Sequence, residues 1–302
     1  MSTTETDAIG ADKAQCCIKL AAYLKRNCNL INSSQRHIKT NLLFTNRVLV
    51  DGLVEKNPSR RIRPGKNTVK VLEPAIFVYN KPCGIVTALS DANSSCVGST
   101  KPISDYVNQY PGLHIVGRLD EHSCGLLLLT NDGHVTKMLK DPKQKITRRY
   151  KCVVMGIVTD EKKLRLQIED GIETRHGTYH GKLISAREEV GDIEFEHRSC
   201  IKTGNICIRN DGPCHAENDD AQHIQFISNL NGDQSFGLSE VSIEITEGKM
   251  REVRRILAHC GHPVLNLRRE AYGVFELGSV KAGDIRAATR AEMKWIISER
   301  KY

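Results

Sequence analysis

Much of what would mark an exported, membrane-bound or nucleotide-driven protein is missing from these 302 residues. No apolar run approaches the roughly 20 residues that a helix needs to cross a bilayer. The opening "MSTTETDAIGADK" is polar and somewhat acidic, so it lacks both the order of a secretory signal and the arginines of a transit peptide. Residues 1–14 read as a loose tail. Eleven cysteines are scattered without framework spacing, and their number is odd. With no export signal this predicts reduced thiols in an intracellular setting, whether cytoplasm, nucleus or organelle. No low-complexity tract occurs, and neither a Walker loop nor the dinucleotide glycine fingerprint is found.

What is present is an ordinary globular composition, 39% hydrophobic and 26% charged, in a chain long enough for more than one domain. The net charge of +8 is unevenly placed. Between Gln15 and Leu72 there are 12 Lys and Arg against two acids, Asp51 and Glu55. Between Glu188 and Glu240 the balance reverses, with 3 basic residues against 11 acids. A basic first quarter could neutralise phosphates, or could be a solvated surface with no ligand.

Residues 15–72 read as a module of their own. Ile18, Ala21, Ala22 and Leu24 have helical spacing. A second helix is predicted after Ser33 or Ser34, with Ile38, Leu42 and Leu43 on one face. "RVLVDGLVEKNPSRRIRPGKNTVKVL" reads as strand, Asp-Gly turn, strand, basic loop and strand. This outline, with Arg36, Lys39, Arg47 and the Arg60, Arg61, Arg63 loop, resembles the small RNA-binding domain first seen in ribosomal protein S-four.

A second domain is predicted over 74–302. "AIFVYNKPCGIVTAL" reads as strand, turn at Lys81–Gly84, and strand. "GLHIVGRL" and "GLLLLT" are two further strands around an Asp120–Gly125 turn. "NDGHVTKMLKD" starts a helix with Asn131 or Asp132 as cap. "RRYKCVVMGIV" is β-rich, and a helix over 249–260 ends at Gly261 before another strand. Strands outnumber helices and alternate with them irregularly, which predicts an α+β architecture with a mixed, mainly antiparallel sheet and flanking helices. The acidic, loop-forming 188–240 segment reads as an insertion and as a surface for a protein partner. Cys200, Cys207, Cys214 and His215 within it raise the question of zinc, but no Cys-x-x-Cys pair is among them. Reduced thiols and no metal are the expectation.

"GRLDEHSCGLLLLTNDG" places Arg118 and Asp120 immediately before four leucines. An Asp after a strand is usually a turn-former. Here Arg118 and Asp120 would share a side if the strand persisted, and the leucines would hold the turn against a core. A desolvated Asp needs a cationic or hydrogen-bonding partner, and Lys249, Arg251, Arg254 and Arg255 are candidates. On the predicted helix, Val253, Ile256, Leu257 and Cys260 form the apolar stripe, while Arg251, Arg254 and Arg255 fall on another face. That face is either solvated or phosphate-contacting.

Taken together, "YNKPCGIVT", "GRLDEHSCGLLLLTNDG", "RRYKCVVMG" and "EGKMREVRRILAHCGHPVLNLRREAYG" are similar, in order and interval, to the motifs of the Rsu-type ribosomal RNA pseudouridine synthases. The resemblance covers most of 74–187 and 240–280, and an S-four-like domain commonly precedes the catalytic one in that family. Two departures are visible: Met250 stands where Asn or another polar residue is common, and the 188–240 segment is longer than the usual connection. The resemblance implies an isomerase acting on structured RNA, ribosomal RNA or subunit precursors, without metal or coenzyme. It implies that Asp120 is the essential carboxylate, that Tyr150 stacks on the target base and can assist proton removal, and that Arg254 pairs with the aspartate. Arg118 would hold the RNA or the extruded nucleotide, and Lys81, Lys249 and Arg255 would contact the RNA. Arg36, Lys39, Arg47, Arg60, Arg61 and Arg63 would do so from the first module. Two other readings stand beside it: a non-catalytic RNA-binding or ribosome-assembly factor, and a glycosidase-like hydrolase. The latter normally uses two carboxylates, and Glu121 beside Asp120 points elsewhere on strand geometry.

Overall fold

The computed structural model describes residues 17–27, 42–43, 46–87, 103, 112–174, 177–189 and 237–299. Arg36, Lys39, most of the predicted second helix, the cysteines at 200, 207 and 214, and His215 lie outside the described residues, as does nearly all of the acidic segment. The chain divides into two compact units. One comprises residues 1–74 with 131–134, and the other residues 75–130 with 135–302.

In the first unit β1 (Ile18–Lys19) leads directly into α1 (Leu20–Asn27). The helix begins two residues later than its apolar spacing predicts, because Ile18 pairs instead with Ile62 across a short antiparallel bridge. Strands β2 (Val48–Val50), β3 (Leu53–Val54), β4 (Arg61–Ile62) and β5 (Val69–Val71) follow. Asp51 and Gly52, both at positive φ (53° and 83°), make the two-residue turn between β2 and β3 that an Asp-Gly pair favours. Leu20, Leu24, Leu42, Leu43, Val48, Val50 and Ile62 close a small core. Within this unit Asn131 donates to the Glu73 carbonyl at 2.8 Å.

Among the described residues, the second unit is built on one nine-stranded sheet. Its strands are β6 (Ile76–Lys81), β7 (His114–Val116), β8 (Cys124–Thr130), β9 (Arg148–Met155), β12 (Lys182–Glu189), β13 (Leu238–Ile245), β14 (Val264–Tyr272), β15 (Phe275–Glu276) and β16 (Ile285–Ala287). A separate hairpin pairs β10 (Ile172–Thr174) with β11 (Gly177–Tyr179). The main order is β12-β13-β9-β14-β8-β6-β16, with β15 on β14 and β7 on β8. Among the described residues every pair in this sheet is antiparallel except β14 with β8. The mixed, mainly antiparallel sheet is therefore as expected, and its one parallel seam lies at its centre.

Helices cover both faces of this sheet. Leu164 and Ile168 of α3 (Glu161–Asp170) and Val253, Ile256 and Leu257 of α4 (Glu252–His259) join one core cluster. Val135 and Leu139 of α2 (Gly133–Lys140) and Ile296 of α5 (Arg290–Glu299) join the other. The four leucines are explained by this arrangement. Leu127 and Leu129 enter the first cluster, Leu126 and Leu128 the second, and all four are buried. A central strand needs apolar residues on both faces, so a continuous run replaces alternation. Asp132 caps α2 by accepting from the His134 amide at 2.9 Å. Ile85–Thr87, expected as a strand after the Lys81–Gly84 turn, is irregular, since Thr87 turns its hydroxyl onto a neighbouring loop.

Candidate active site

The segment Gly117–Ser123 joins β7 to β8 as a loop, so the strand that would have aligned Arg118 with Asp120 stops at Val116. Leu119 is buried, Asp120 is half-buried, and Arg118, Glu121 and His122 are exposed. Buried or not, a loop's carbonyls need partners, and here each of five in succession has one. Leu119 O accepts from the Thr87 hydroxyl at 2.5 Å, and Asp120 O from the Ser123 amide at 3.0 Å. Glu121 O accepts from the Gly84 amide at 2.9 Å and from Lys81 Nζ at 3.1 Å. His122 O accepts from Arg254 Nη2 at 2.9 Å, and Ser123 O from Lys81 Nζ at 2.8 Å. The backbone carrying Asp120 is thus fixed on both sides. Among the described residues its carboxylate makes no ion pair.

Lys81 has no exposed surface, and its third bond goes to Pro82 O at 2.9 Å. Three N–H groups meet three carbonyls, which compensates a buried ammonium with dipoles rather than with a counter-ion. Burial pushes its pKa down to about 8, opposed by Cys83, Cys124, Glu121 and Asp120. Lys81, expected to contact RNA, is turned inward in this structure and fastens the loop that carries Asp120.

Arg254 projects from α4 and bridges two carbonyls, His122 O and Val264 O (3.0 Å). Its Nε is buried without a partner. Burial lowers its pKa, the neighbouring Arg251 lowers it further, and the charge of Asp120 opposes both. A guanidinium remains protonated under such shifts. Arg254 therefore sits within the field of Asp120 but is bonded to the loop backbone beyond it. The three arginines of the helix do not form one solvated face. Arg255 is buried, donating to the Tyr179 hydroxyl at 2.8 Å and to Met250 O at 3.1 Å. Lys249 donates to Thr178 O at 2.8 Å, pairs with Glu247, and lies 5.1 Å from the Tyr179 ring centroid. Both tie the β10–β11 hairpin to the start of α4.

Tyr150 comes from β9 and is buried, at 7% exposure. The register sets it opposite Arg269 of β14, which in turn lies opposite Gly125 of β8. Arg269, 2% exposed, was not among the sequence candidates. A signal for it existed: with period two, Leu267 and Arg269 share a face of β14 before the register shifts at Ala271, and an inward arginine needs an inward partner. Gly125 is held at φ +97°, where an added Cβ would run into the backbone of Arg269, 2.8 Å from its amide nitrogen and closer still to its carbonyl oxygen.

In the first unit Arg47 donates to Leu72 O at 2.8 Å, and Arg60 pairs with Glu55 at 2.7 Å and Asp51 at 3.6 Å. Those two guanidiniums hold the module together. Arg61 and Arg63 are exposed, with long contacts of 3.4 Å to the carbonyl and sulfur of Cys17. Among the described residues no group of three His, Cys, Asp or Glu side chains could hold a metal ion. No helix among them is long and apolar enough to span a membrane.

A loop-fixed aspartate, a buried tyrosine and an arginine are thus carried by strands and loops next to the parallel seam. Residues 75–259 match the RNA pseudouridylate synthase family, and the chain belongs to it. It is an isomerase that converts uridine in RNA to pseudouridine, as the motifs implied. It is 29% identical over 223 residues to ribosomal large subunit pseudouridine synthase B of Bacillus subtilis (strain 168), covering 74% of this chain and 71% of that protein. It is 27% identical over 239 residues to ribosomal large subunit pseudouridine synthase E of Vibrio parahaemolyticus, covering 77% of this chain and 84% of that one. A crystal structure of a pseudouridylate synthase aligns over 92% of this chain and 99% of its own, with a TM-score of 0.48 and 20% identity.

Proposed function

We propose that this isomerase modifies a specific uridine of large-subunit ribosomal RNA, with Asp120 as the carboxylate that acts on the nucleotide. The observation that carries the reading is the fixed Asp120 loop, in which five consecutive carbonyls are bonded while the carboxylate makes no ion pair among the described residues. The names of the two relatives supply the ribosomal target. The reaction breaks a carbon–nitrogen bond, turns the uracil in place and forms a carbon–carbon bond. It is neutral in electrons and needs no acceptor. The base must leave its stack first, and Tyr150 offers an aromatic face in exchange. Asp120 then acts at the sugar or on the ring, and Arg254 keeps a positive charge beside it in a partly dehydrated site.

The first unit is read as an S-four-like RNA-binding domain over residues 15–72, with Arg61 and Arg63 as its exposed phosphate contacts. Its short strands, single described helix and basic loop support that reading. The test is Asp120→Asn on ribosomal RNA transcripts, with pseudouridine detected by chemical labelling. Product should vanish while RNA affinity stays within a few-fold, and undiminished product would remove Asp120 from the role. Pseudouridine maps of ribosomal RNA from cells with and without the protein identify the target; identical maps would refute the ribosomal assignment.

A further inference from the structure

Arg269 is the most deeply buried arginine among the described residues, and the reaction as derived above does not use it. Its Nε donates to Leu126 O at 2.7 Å, Nη1 lies 3.5 Å from the Tyr150 hydroxyl, and its Cζ is 5.2 Å from the Tyr272 ring centroid. Nη2 is buried with no partner. An arginine kept only to staple strands would be expected to have every buried donor satisfied. This one contacts β8 and β9 at once, and those two strands carry the Asp120 loop and Tyr150.

We propose that Arg269 is a positioning residue for the isomerisation, acting through the Tyr150 hydroxyl; the proposal rests on the place of Tyr150 in the site described above. The guanidinium is planar and rigid. Once Nε is fixed on the Leu126 carbonyl, the direction of Nη1 is fixed as well. Arginine has no acceptor, so the Tyr150 oxygen accepts in this contact and its own proton faces away from Arg269. The distance of 3.5 Å is long for a hydrogen bond. Contacts of this kind tighten when substrate fills the site. Gly125 completes the device, since only a residue without a Cβ lets β8 approach the Arg269 backbone so closely.

Arg269→Lys keeps the charge but has one nitrogen where the geometry uses two. On a ribosomal RNA transcript it should lower kcat roughly 10- to 100-fold, the scale of a small misplacement at a reacting centre, with KM within about threefold. Tyr150→Phe should lower kcat by a similar factor, and the double variant should be no slower than the slower single one. Wild-type kcat in Arg269→Lys, full activity in Tyr150→Phe, multiplied losses in the double variant, or an effect on KM alone would each overturn the proposal. Thermal melts accompany the kinetics. If Arg269→Lys does not fold, Arg269→Gln takes its place, and failure of both to fold would make the arginine a structural tie and sink the inference. Retained product in Asp120→Asn would instead strike the site assignment beneath it.

Discussion

Arg254 donates to the His122 carbonyl at 2.9 Å, although 132 positions separate the two residues. The bond joins the helix after the acidic segment to the loop that presents Asp120, so charge and geometry reach the carboxylate by one side chain. Arg254→Lys can satisfy one of the two carbonyls but not both. We expect kcat to fall by about 10²-fold or more, the usual scale for loss of a preorganised donor, with RNA affinity changed only a few-fold. Single-turnover rates beside filter-binding constants check this; a proportional loss of affinity would recast Arg254 as an RNA contact.

Lys81 makes the loop pH-sensitive. Its pKa falls from 10.5 when unfolded to about 8 in the native protein. Between those values the unfolded chain holds a proton that the folded one has released, so this residue's contribution to stability rises with pH across the window. Measured against Lys81→Met, the wild type should gain on the order of 3 kcal/mol from pH 8 to pH 10.5. Activity should move the other way, because a neutral amine has two protons for three carbonyls and the Asp120 loop loosens. Urea midpoints and kcat at matched pH test both signs, and a flat stability difference would contradict the assignment.

Gly125 and Gly117 are both at positive φ, 97° and 77°, but only Gly125 faces another backbone. Gly117→Ala should cost about 1 kcal/mol, from its dihedral alone. Gly125→Ala must also push β8 from β14, so a loss of about 3 kcal/mol or more is expected. Denaturant titration of the pair decides; equal losses would mean the seam is not tightly packed.

Arg61 and Arg63 are exposed, whereas Arg47 and Arg60 are engaged within the module. Replacing Arg61 and Arg63 together by Gln should flatten the dependence of log K on log salt by roughly one to two units. Replacing Arg60 should lower the melting temperature instead. An unchanged slope in the double variant would take these two residues out of the RNA interface.

Much of this site was legible in one dimension. The Leu126–Leu129 run predicted a rigid strand behind Asp120, the stripe of Val253, Ile256 and Leu257 predicted α4, and the Asp51-Gly52 pair predicted a hairpin. Each depends on local spacing or turn chemistry. Less legible was where each cation would point. Lys81, Arg255, Arg47 and Arg60 carry the same charge in the sequence as Arg61 and Arg63, yet burial turns Lys81 and Arg255 inward, and a carbonyl or carboxylates engage Arg47 and Arg60. Thr87 and Arg269 drew no attention because their partners, Leu119 and Tyr150, are 32 and 119 positions away.

By itself the amino-acid order determined the family, the candidate carboxylate and the mainly antiparallel sheet, since motifs, apolar periods and turn residues are local properties. Only the tertiary structure decided which cations serve the loop, which serve a strand, and which stay exposed. A charge acquires its role from the dipoles and solvent around it, and those come from strands that meet across more than a hundred residues of chain.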